Sequence, residues 1–465
     1  MKLLRLALLV LCSATVCSAQ IPPLHETQWL GRLHGPTGIA SEYGEMIVTF
    51  VGPESGVGNA ISAVFTERGI EQARILLPDF PGVTDDYIYS VIDGSTLWTW
   101  SGQGSVKLRE YQIVGDPVPT ELVLVSEQII APGPRMFPGP LIQLESGALV
   151  GMWTYNPFVK EIDRHADVGF FYAAGASLQI IYPVRLEGTT TISGSRLAMA
   201  QHPVDDTIWA FSKRDSEHSI VGIHLTETIL GTLEVDWVRP FISDGKYLDG
   251  VNGPSGEYPQ LVAVPDSTRQ AILLAYESAQ YQKMRRPDGT VCGYATPIRI
   301  AQIAADGGKS FIAYDHLTER LSAIGLIATP DTIYLASFPY LEAPGTVNGW
   351  TSDDVYLSAW DGTSWTEPLY LANSWDDQRS VIVSRRGKLE LAFPDSYRLN
   401  PYEGVFLVRD FRAASLTRTD SFAIAVGGVL VEQCADELSA FAEAEEMAWA
   451  GAHVSVVRTS ELSLQ

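Results

Sequence analysis

Five arginines stand near the points where apolar runs of this chain begin, and they are its most informative polar residues. They are Arg32, Arg135, Arg196, Arg320 and Arg379. A guanidinium group is a planar fork that binds a carboxylate through two parallel hydrogen bonds. If the apolar runs converge, several of these groups can therefore face one anion. The alternative is that each arginine pairs with a neighbouring Asp or Glu and lines a solvated surface.

The overall charge makes such a cluster more informative. The 465 residues include 32 Lys and Arg against 55 Asp and Glu, which gives a formal net charge of -23 at pH 7. An excess of negative charge repels polyphosphates, so we expect no nucleic-acid partner and no binding to anionic membrane surfaces. Cations that gather in such a chain require either an acidic neighbour or an anionic ligand.

Other polar residues also stand at the beginnings of apolar runs. Glu257 and Tyr258 directly precede one run, and Asp86 follows Asp85 just before another. The Glu-Tyr pair could equally be a packing tyrosine beside a solvated carboxylate, and Asp86 could cap a turn. The chain has no zinc-protease, nucleophile-elbow or phosphate-loop motif, so we expect no metal and no cofactor. Paired acids such as Asp205-Asp206 favour solvated turns over calcium sites.

The elements that carry these residues repeat along the chain. Seven segments share an apolar run, a tight polar turn and a second apolar run that ends in an aromatic residue. These aromatic residues follow one another at intervals of 50 to 65 residues. The segments span residues 36–50, 87–100, 140–153, 196–211, 258–276, 321–338 and 379–393. Gly and Asp at the turns tolerate the backbone angles of tight hairpins.

This repeat predicts an all-β fold. A repeat of about 40–50 residues with about four strands is typical of a β-propeller blade. We predict a propeller of about seven four-stranded blades over residues 20–420, with six or eight as alternatives. Residues 258–311 should form one sheet, with a loop at 282–289. Two β-sandwich domains would also alternate strands and turns, but they do not require regularly spaced aromatic residues.

One turn resembles a known motif. Residues 304–311, Ala-Ala-Asp-Gly-Gly-Lys-Ser-Phe, resemble the Asp-box (BNR repeat) of sialidases and related propellers. The residues that match are Asp306, Gly308, Ser310 and Phe311, whereas Ala304 replaces the usual Ser. The resemblance implies that Asp306 accepts backbone N–H bonds, that Gly308 adopts the strained turn angle and that Phe311 is buried.

A weaker relative of this motif occupies residues 358–365. Gly362, Ser364 and Trp365 stand in the expected places, but Asp361 is shifted by one position. The resemblance to the sialidase-like superfamily thus covers the repeat pattern of most of the chain, and its specific part is the turn at 304–311.

The resemblance also implies a site. Sialidase-like enzymes hold the substrate carboxylate with three arginines, use a tyrosine activated by a glutamate as nucleophile, and use an aspartate as acid/base. These groups lie at the entrances of the innermost strands. The matching positions here are Arg135, Arg196 and Arg379 for substrate binding, with Tyr258, Glu257 and Asp86 for catalysis.

We expect the partner of this chain to be a glycan or another molecule of the cell surface. Two functions toward such a partner remain open. One is a sialidase-like glycoside hydrolase, with a two-carboxylate glycosidase as a variant. The other is a non-catalytic propeller that serves as a binding scaffold.

The two ends of the chain depart from the repeat. Residues 1–19 have a basic start, an apolar centre and a small-residue exit, which predicts a signal peptide and export to the periplasm or the outside; a membrane anchor is the alternative. The two cysteines that lie outside this predicted signal peptide, Cys292 and Cys434, could form a disulfide or stay as two thiols. Residues 421–465 predict a strand, a helix at 435–450 and a strand, either as a separate module or as part of the first blade.

Overall fold

A computed structural model describes most of the repeat region and the strands of the tail. The described residues are 41–44, 46–51, 61–67, 70–78, 88–102, 105–131, 136–155, 167–175, 177–185, 197–214, 219–243, 261–277, 282–285, 291–295, 298–314, 320–340, 354–366, 369–373, 381–385, 388–395, 404–408, 416–426, 429–434 and 454–464. None of these residues lies in a helix. The described part of the chain therefore contains no helix that could cross a membrane.

Six four-stranded antiparallel sheets form the blades of a β-propeller, which confirms the predicted fold class. Blade one contains β1 (Ser41–Tyr43), β2 (Met46–Val51), β3 (Ser62–Glu67) and β4 (Ile70–Leu76). Blade two contains β5 (Ile88–Asp93), β6 (Thr96–Ser101), β7 (Val106–Val114) and β8 (Glu121–Ala131). Blade three contains β9 (Met136–Gln143), β10 (Leu149–Tyr155), β11 (Asp167–Ala174) and β12 (Ser177–Arg185).

The next three blades follow the same order. Blade four contains β13 (Leu197–Gln201), β14 (Ile208–Arg214), β15 (Ser219–Glu227) and β16 (Leu233–Ser243). Blade five begins with β17 (Leu261–Asp266) and β18 (Ala271–Glu277), continues through an extra hairpin of β19 (Gln282–Arg285) and β20 (Val291–Ala295), and ends with β21 (Ile298–Ile303) and β22 (Lys309–Ala313). Blade six contains β23 (Arg320–Ala328), β24 (Ile333–Tyr340), β25 (Asp354–Trp360) and β26 (Leu369–Asn373).

Two three-stranded sheets complete the described strands. The seventh predicted hairpin forms β27 (Val381–Arg385) and β28 (Lys388–Asp395), which pair with β29 (Gly404–Val408). Within the described ranges the number of four-stranded blades is thus six, one of the expected alternatives. The loop expected at 282–289 is in part a strand, because β19 occupies its first half.

The tail forms a compact unit that is separate from the unit of β1–β29. Its strands are β30 (Leu416–Val426), β31 (Val429–Cys434) and β32 (Val454–Leu464), in the order β31-β30-β32. The single strand expected over 421–432 is therefore the end of β30 and the start of β31. The predicted helix at 435–450 lies outside the described residues.

The first strand of each blade lies innermost, as the hairpin pattern predicted. Strand β1 contacts β5, and the same contact joins β5 to β9, β9 to β13, β13 to β17, β17 to β23 and β23 to β27. Because neighbouring sheets meet through their first strands, these strands surround a common axis, and the last strand of each blade forms its outer edge.

The apolar core lies between the blades, and successive residues of one strand contribute to different neighbours. In β10, Val150 and Met152 pack towards blade four, whereas Leu149 and Trp153 pack towards blade two. This alternation follows from strand geometry, since successive side chains point to opposite faces of a sheet. In a blade that is buried on both faces, the sequence of a strand is therefore a continuous apolar run.

Two glycines of blade three make room for the aromatic residues of this core. A Cβ atom at Gly151 would lie 1.9 Å from the ring of Phe171, and one at Gly169 would lie 2.0 Å from the ring of Trp153. Any larger residue would displace these rings, because a buried interface is packed as densely as a crystal.

Hydrogen bonds from side chains to backbone carbonyls also join the blades. Trp100 Nε1 of blade two donates to the carbonyl of Met152 in blade three over 3.4 Å. In blade six, Trp365 Nε1 donates to Ala313 O of blade five over 2.8 Å. The indole of Trp365 also meets Tyr314 edge-on at 5.0 Å between ring centroids. These contacts fix neighbouring blades against each other, at the second strands of blades two and three and at the outer strand of blade five.

The two turns that resemble an Asp-box differ from the expectation in which of them buries its aromatic residue. In the better sequence match, Asp306 Oδ1 accepts only the N–H of Gly308 over 2.8 Å, the left-handed angle belongs to Gly307 (φ 81°) rather than Gly308, and Phe311 is 48 % exposed. The expectation that Phe311 is buried is wrong, because the ring lies on the outermost strand β22, where the core shared by its register partner Ala301 and blade four does not cover it.

In the weaker match, Asp361 Oδ1 accepts the N–H groups of Thr363 and Ser364 over 2.7 and 2.8 Å. These bonds hold the pKa of Asp361 down at about 2. Trp365, which ends this turn, is only 9 % exposed. The turn between β25 and β26 thus has the geometry expected of the other one.

The aromatic residues that end these two turns should differ in their effect on stability. We expect Trp365→Ala to lower the free energy of unfolding by about 3–5 kcal/mol, because it leaves a cavity between blades five and six. Chemical denaturation followed by circular dichroism measures this change. The matched control, Phe311→Ala, should cost about 1 kcal/mol or less, since this ring is half exposed. Equal losses in the two variants would contradict the proposed packing.

Candidate functional site

All six site residues predicted from the sequence lie outside the described residues. They are Asp86, Arg135, Arg196, Glu257, Tyr258 and Arg379. The strands that follow them are described, and each is the first strand of its sheet. Strand β9 begins one residue after Arg135, β13 begins one residue after Arg196, and β27 begins two residues after Arg379.

The alternation of strands gives the propeller two distinct faces. We call the face at which first strands begin the entry face and the opposite one the exit face. First and third strands run from entry to exit, and second and fourth strands return. The turns within each hairpin therefore lie on the exit face, and they are largely described. The connections between hairpins and between blades belong to the entry face, and most of them lie outside the described residues.

One of the five arginines noted in the sequence has a described backbone. Arg320 is the first residue of β23, and its register partner is Tyr340, the last residue of β24. The pair therefore marks the entry edge of blade six. Arg32 lies outside the described residues.

In the described turns of the exit face, polar residues stabilise the turns, and we find no reactive site among them. The carboxylate of Asp266, which is 2 % exposed, accepts the N–H groups of Thr268 and Arg269 over 3.1 and 3.0 Å and the Arg269 guanidinium over 2.8 Å. The Arg269 guanidinium also reaches the Thr329 carbonyl of blade six over 3.4 Å. These bonds close one turn and join it to the next blade.

The acidic pair Asp205-Asp206 likewise belongs to a turn. Asp205 Oδ1 accepts the N–H and hydroxyl of Thr207 over 3.2 and 2.8 Å, and Asp206 has a left-handed backbone (φ 59°). Nearby, His202 is fully buried, with Nε2 3.3 Å from the carbonyl of Ile303 in blade five. Within the described ranges, no group of His, Cys, Asp and Glu side chains is arranged to hold a metal ion.

A tyrosine–glutamate pair does exist in the described part of the chain, but it is not the predicted one. Tyr172 of blade three donates to Glu227 Oε1 of blade four, and Ser146 Oγ donates to the same oxygen over 3.0 Å. Sequence reasoning missed this pair because its members are 55 residues apart and belong to different blades.

The environment of Tyr172 makes it a poor nucleophile. Its side chain is 2 % exposed, and burial, the hydrogen bond to Glu227 and the charge of Glu227 raise its pKa to about 12. A nucleophile needs an accessible oxygen that gives up its proton readily. The Tyr172–Glu227 pair therefore holds blades three and four together at the exit face.

Comparisons with known proteins reveal only distant similarity. No protein-family model and no curated protein matches the sequence. Among solved structures, the chain is similar to a protein of unknown function from Dyadobacter fermentans (12% identity, 83% of this chain and 99% of that chain, TM-score 0.41). It is also similar to an α-L-arabinofuranosidase from Fusarium graminearum (11%, 70% and 91%, TM-score 0.40). A third similar structure is Trypanosoma rangeli sialidase in complex with sialic acid (8%, 84% and 59%, TM-score 0.36). At these TM-scores the similarities carry no argument about function.

Removal of the Tyr172 hydroxyl should reveal its structural role. We expect Tyr172→Phe to lower the free energy of unfolding by about 1.5–3 kcal/mol, the range for a hydrogen bond to a charged group. Because the pKa is raised in the folded state, this contribution is fully present below pH 10 and is lost as the pH rises towards about 12. Denaturant unfolding of both proteins from pH 7 to 11 measures the difference.

The matched control for this experiment is Tyr43→Phe. Tyr43 Oη donates to the uncharged carbonyl of Gly115 over 2.9 Å, so its removal should cost only about 1 kcal/mol. Equal costs in the two variants, or a Tyr172 contribution that grows above pH 10, would contradict this interpretation.

Proposed function

We propose that this chain is an exported β-propeller that binds acidic glycans at its entry face and cleaves them as a sialidase-like glycoside hydrolase. One observation carries the proposal: several arginines occur at the starts of first strands, all of which begin on the same face. Arg320 begins β23, and Arg135 and Arg196 immediately precede β9 and β13.

The charge of the chain supports an anionic ligand at this position. Like charges around one channel repel each other unless an anion lies among them, and an arginine fork suits a carboxylate. Acidic sugars such as sialic acid and uronic acids carry one. A chain with a net charge of -23 gains nothing from long-range attraction of such a ligand, so local arginines have to supply the affinity.

The proposed reaction assigns a role to each predicted residue. Arg135, Arg196 and Arg379 hold the substrate carboxylate. Glu257 takes the phenolic proton of Tyr258 as the tyrosine oxygen attacks the anomeric carbon, and Asp86 donates a proton to the leaving glycosidic oxygen.

A water molecule then completes the reaction. It attacks the anomeric carbon of the glycosyl–tyrosine intermediate, Asp86 takes a proton from the water, and Tyr258 leaves and recovers its proton from Glu257. Each bond that breaks is replaced, and no cofactor takes part. Two successive displacements retain the configuration of the sugar.

Export is part of the proposal, because acidic glycans of this kind are extracellular polymers. The basic start and apolar centre of residues 1–19 support it. N-terminal sequencing of the protein secreted by an expressing cell tests it, with Gln20 expected as the first residue.

The activity can be tested with a fluorogenic sialoside. We expect the wild-type protein to release the reporter and Tyr258→Phe to lower kcat at least about 1000-fold, since the nucleophile is lost. Arg135→Ala should weaken binding about 10-fold to 100-fold, because it removes charge-assisted hydrogen bonds to the carboxylate.

Two variants control for general damage to the protein. Tyr43→Phe removes a tyrosine hydroxyl that is bound to the Gly115 carbonyl at the exit end of β1, and Arg74→Ala removes an arginine that is paired with Glu71 on an outer strand. Both should keep full activity. Binding of the sialoside without turnover would favour a binding scaffold over a hydrolase as the function of this chain. Absence of both turnover and binding would refute the proposal.

A further inference from the structure

An aromatic cluster covers the face of blade four that is turned towards blade five. Trp209, His224 and Trp237 are register partners across β14, β15 and β16, and their rings touch. The His224 ring lies parallel to Trp237 at 5.3 Å between centroids, and Trp209 meets Trp237 edge-on at the same distance. Phe241 completes the cluster, 5.3 Å from Trp209.

Two cations lie on this cluster and come from different blades. The guanidinium carbon of Arg239, on β16, is 4.1 Å from the centre of the Trp237 ring. Lys309, the first residue of β22 in blade five, places Nζ 4.0 Å from the centre of the Phe241 ring and donates to the Phe241 carbonyl over 2.7 Å. Cation–π contacts of this kind hold both charges in fixed positions.

No acidic side chain neutralises these cations within the part of the chain that the structure describes. The nearest carboxylate along β16, Asp236, is already bound to His224 Nδ1 over 2.7 Å and to the Thr226 hydroxyl over 2.5 Å. Neither Arg239 nor Lys309 forms an ion pair with a described Asp or Glu. Arg239 is exposed, and within the described ranges its guanidinium group donates no hydrogen bond to a protein acceptor.

The proximity of the two cations has an electrostatic cost. Burial and the charge of Arg239 both lower the pKa of Lys309 below its usual value. A bound anion would remove this repulsion, as would an acidic neighbour. Among the described residues, the nearby carboxylates of Asp236 and Asp306 form no ion pair with Arg239 or Lys309, so a bound anion could supply the opposite charge.

We propose that Arg239 and Lys309 form an anion-binding site at the outer edge of blades four and five, which takes a carboxylate or sulfate group of an acidic polysaccharide. The fixed guanidinium offers a planar fork to the anion, and the ammonium group has two N–H donors left after its bond to Phe241. The choice of a polysaccharide rests on the proposed function.

A polymer explains why a second anion site would be useful. An acidic polysaccharide carries an anionic group on many of its units, so one chain can engage two sites. The second contact is then intramolecular and raises the overall affinity without strengthening either site. A short substrate would not reach both sites and would gain nothing from Arg239 and Lys309.

The test measures binding of three polymers by isothermal titration calorimetry at low salt. Polygalacturonate carries carboxylates, dextran sulfate carries sulfates, and neutral dextran carries neither. We expect at least one acidic polymer to bind and neutral dextran not to bind. The double variant Arg239→Gln/Lys309→Gln should weaken this binding about tenfold, because two charge-assisted contacts are lost.

The matched control is Arg74→Gln, which removes an exposed arginine on the outer strand β4 that is already paired with Glu71. It should change the affinity less than twofold, since Arg74 has no free charge to offer. Acetylation of surface lysines, read by mass spectrometry, gives a second readout: the acidic polymer should protect Lys309 from the reagent. The polymer that binds distinguishes carboxylate from sulfate recognition.

The site is refuted if the double variant binds like the wild type or if no acidic polymer binds. Its failure differs from failure of the proposed function. Turnover of the small sialoside, and its loss in Tyr258→Phe, depend only on the entry face and should be unchanged in the double variant. If the protein shows no turnover but its polymer binding still depends on Arg239 and Lys309, the anion-binding site is supported and the proposed hydrolase activity is refuted.

Discussion

Every blade of this propeller has two apolar faces, and only the neighbouring blades can cover them. Strand β10 shows the consequence most clearly, since alternate residues enter the cores on its two sides. The burial of Val150 and Met152 depends on blade four, and that of Leu149 and Trp153 depends on blade two. No blade can therefore bury its own apolar surface, and the stability of each sheet comes from the arrangement of all. The strand order and the position of first strands around the axis follow from this requirement.

The hairpins could be predicted from the sequence because their determinants are local. A turn at Gly94 or Gly147 and the apolar runs beside it lie within a dozen residues, and the structure places a hairpin at each. The burial of the aromatic residues at positions 311 and 365 could not be predicted in this way. Phe311 belongs to the better motif match, yet Trp365 is the buried one, because the neighbouring blade presents the Ala313 carbonyl and the Tyr314 ring to it.

The candidate site, too, could be predicted from the sequence only where its determinants are local. The sequence locates the starts of first strands, and these starts define one face, so Arg320 could be assigned to the entry edge of its blade. The six predicted site residues lie outside the described residues and stay a prediction. The pair Tyr172–Glu227 and the contact of Lys309 with Phe241 join positions 55 and 68 residues apart. Which residues meet across two blades depends on register and on the twist of each sheet, and no local pattern encodes either.

The hydrogen bonds that join blades often end on a backbone carbonyl, as those of Tyr43, Trp100, Lys309 and Trp365 do. Every amino acid supplies such an acceptor, so the bond demands a particular side chain on one blade only. Substitutions on the accepting blade leave it intact, so the sequences of neighbouring blades can change independently of each other. Such change erases the similarity between repeats while the architecture persists, and a propeller of this kind becomes hard to recognise by sequence comparison alone.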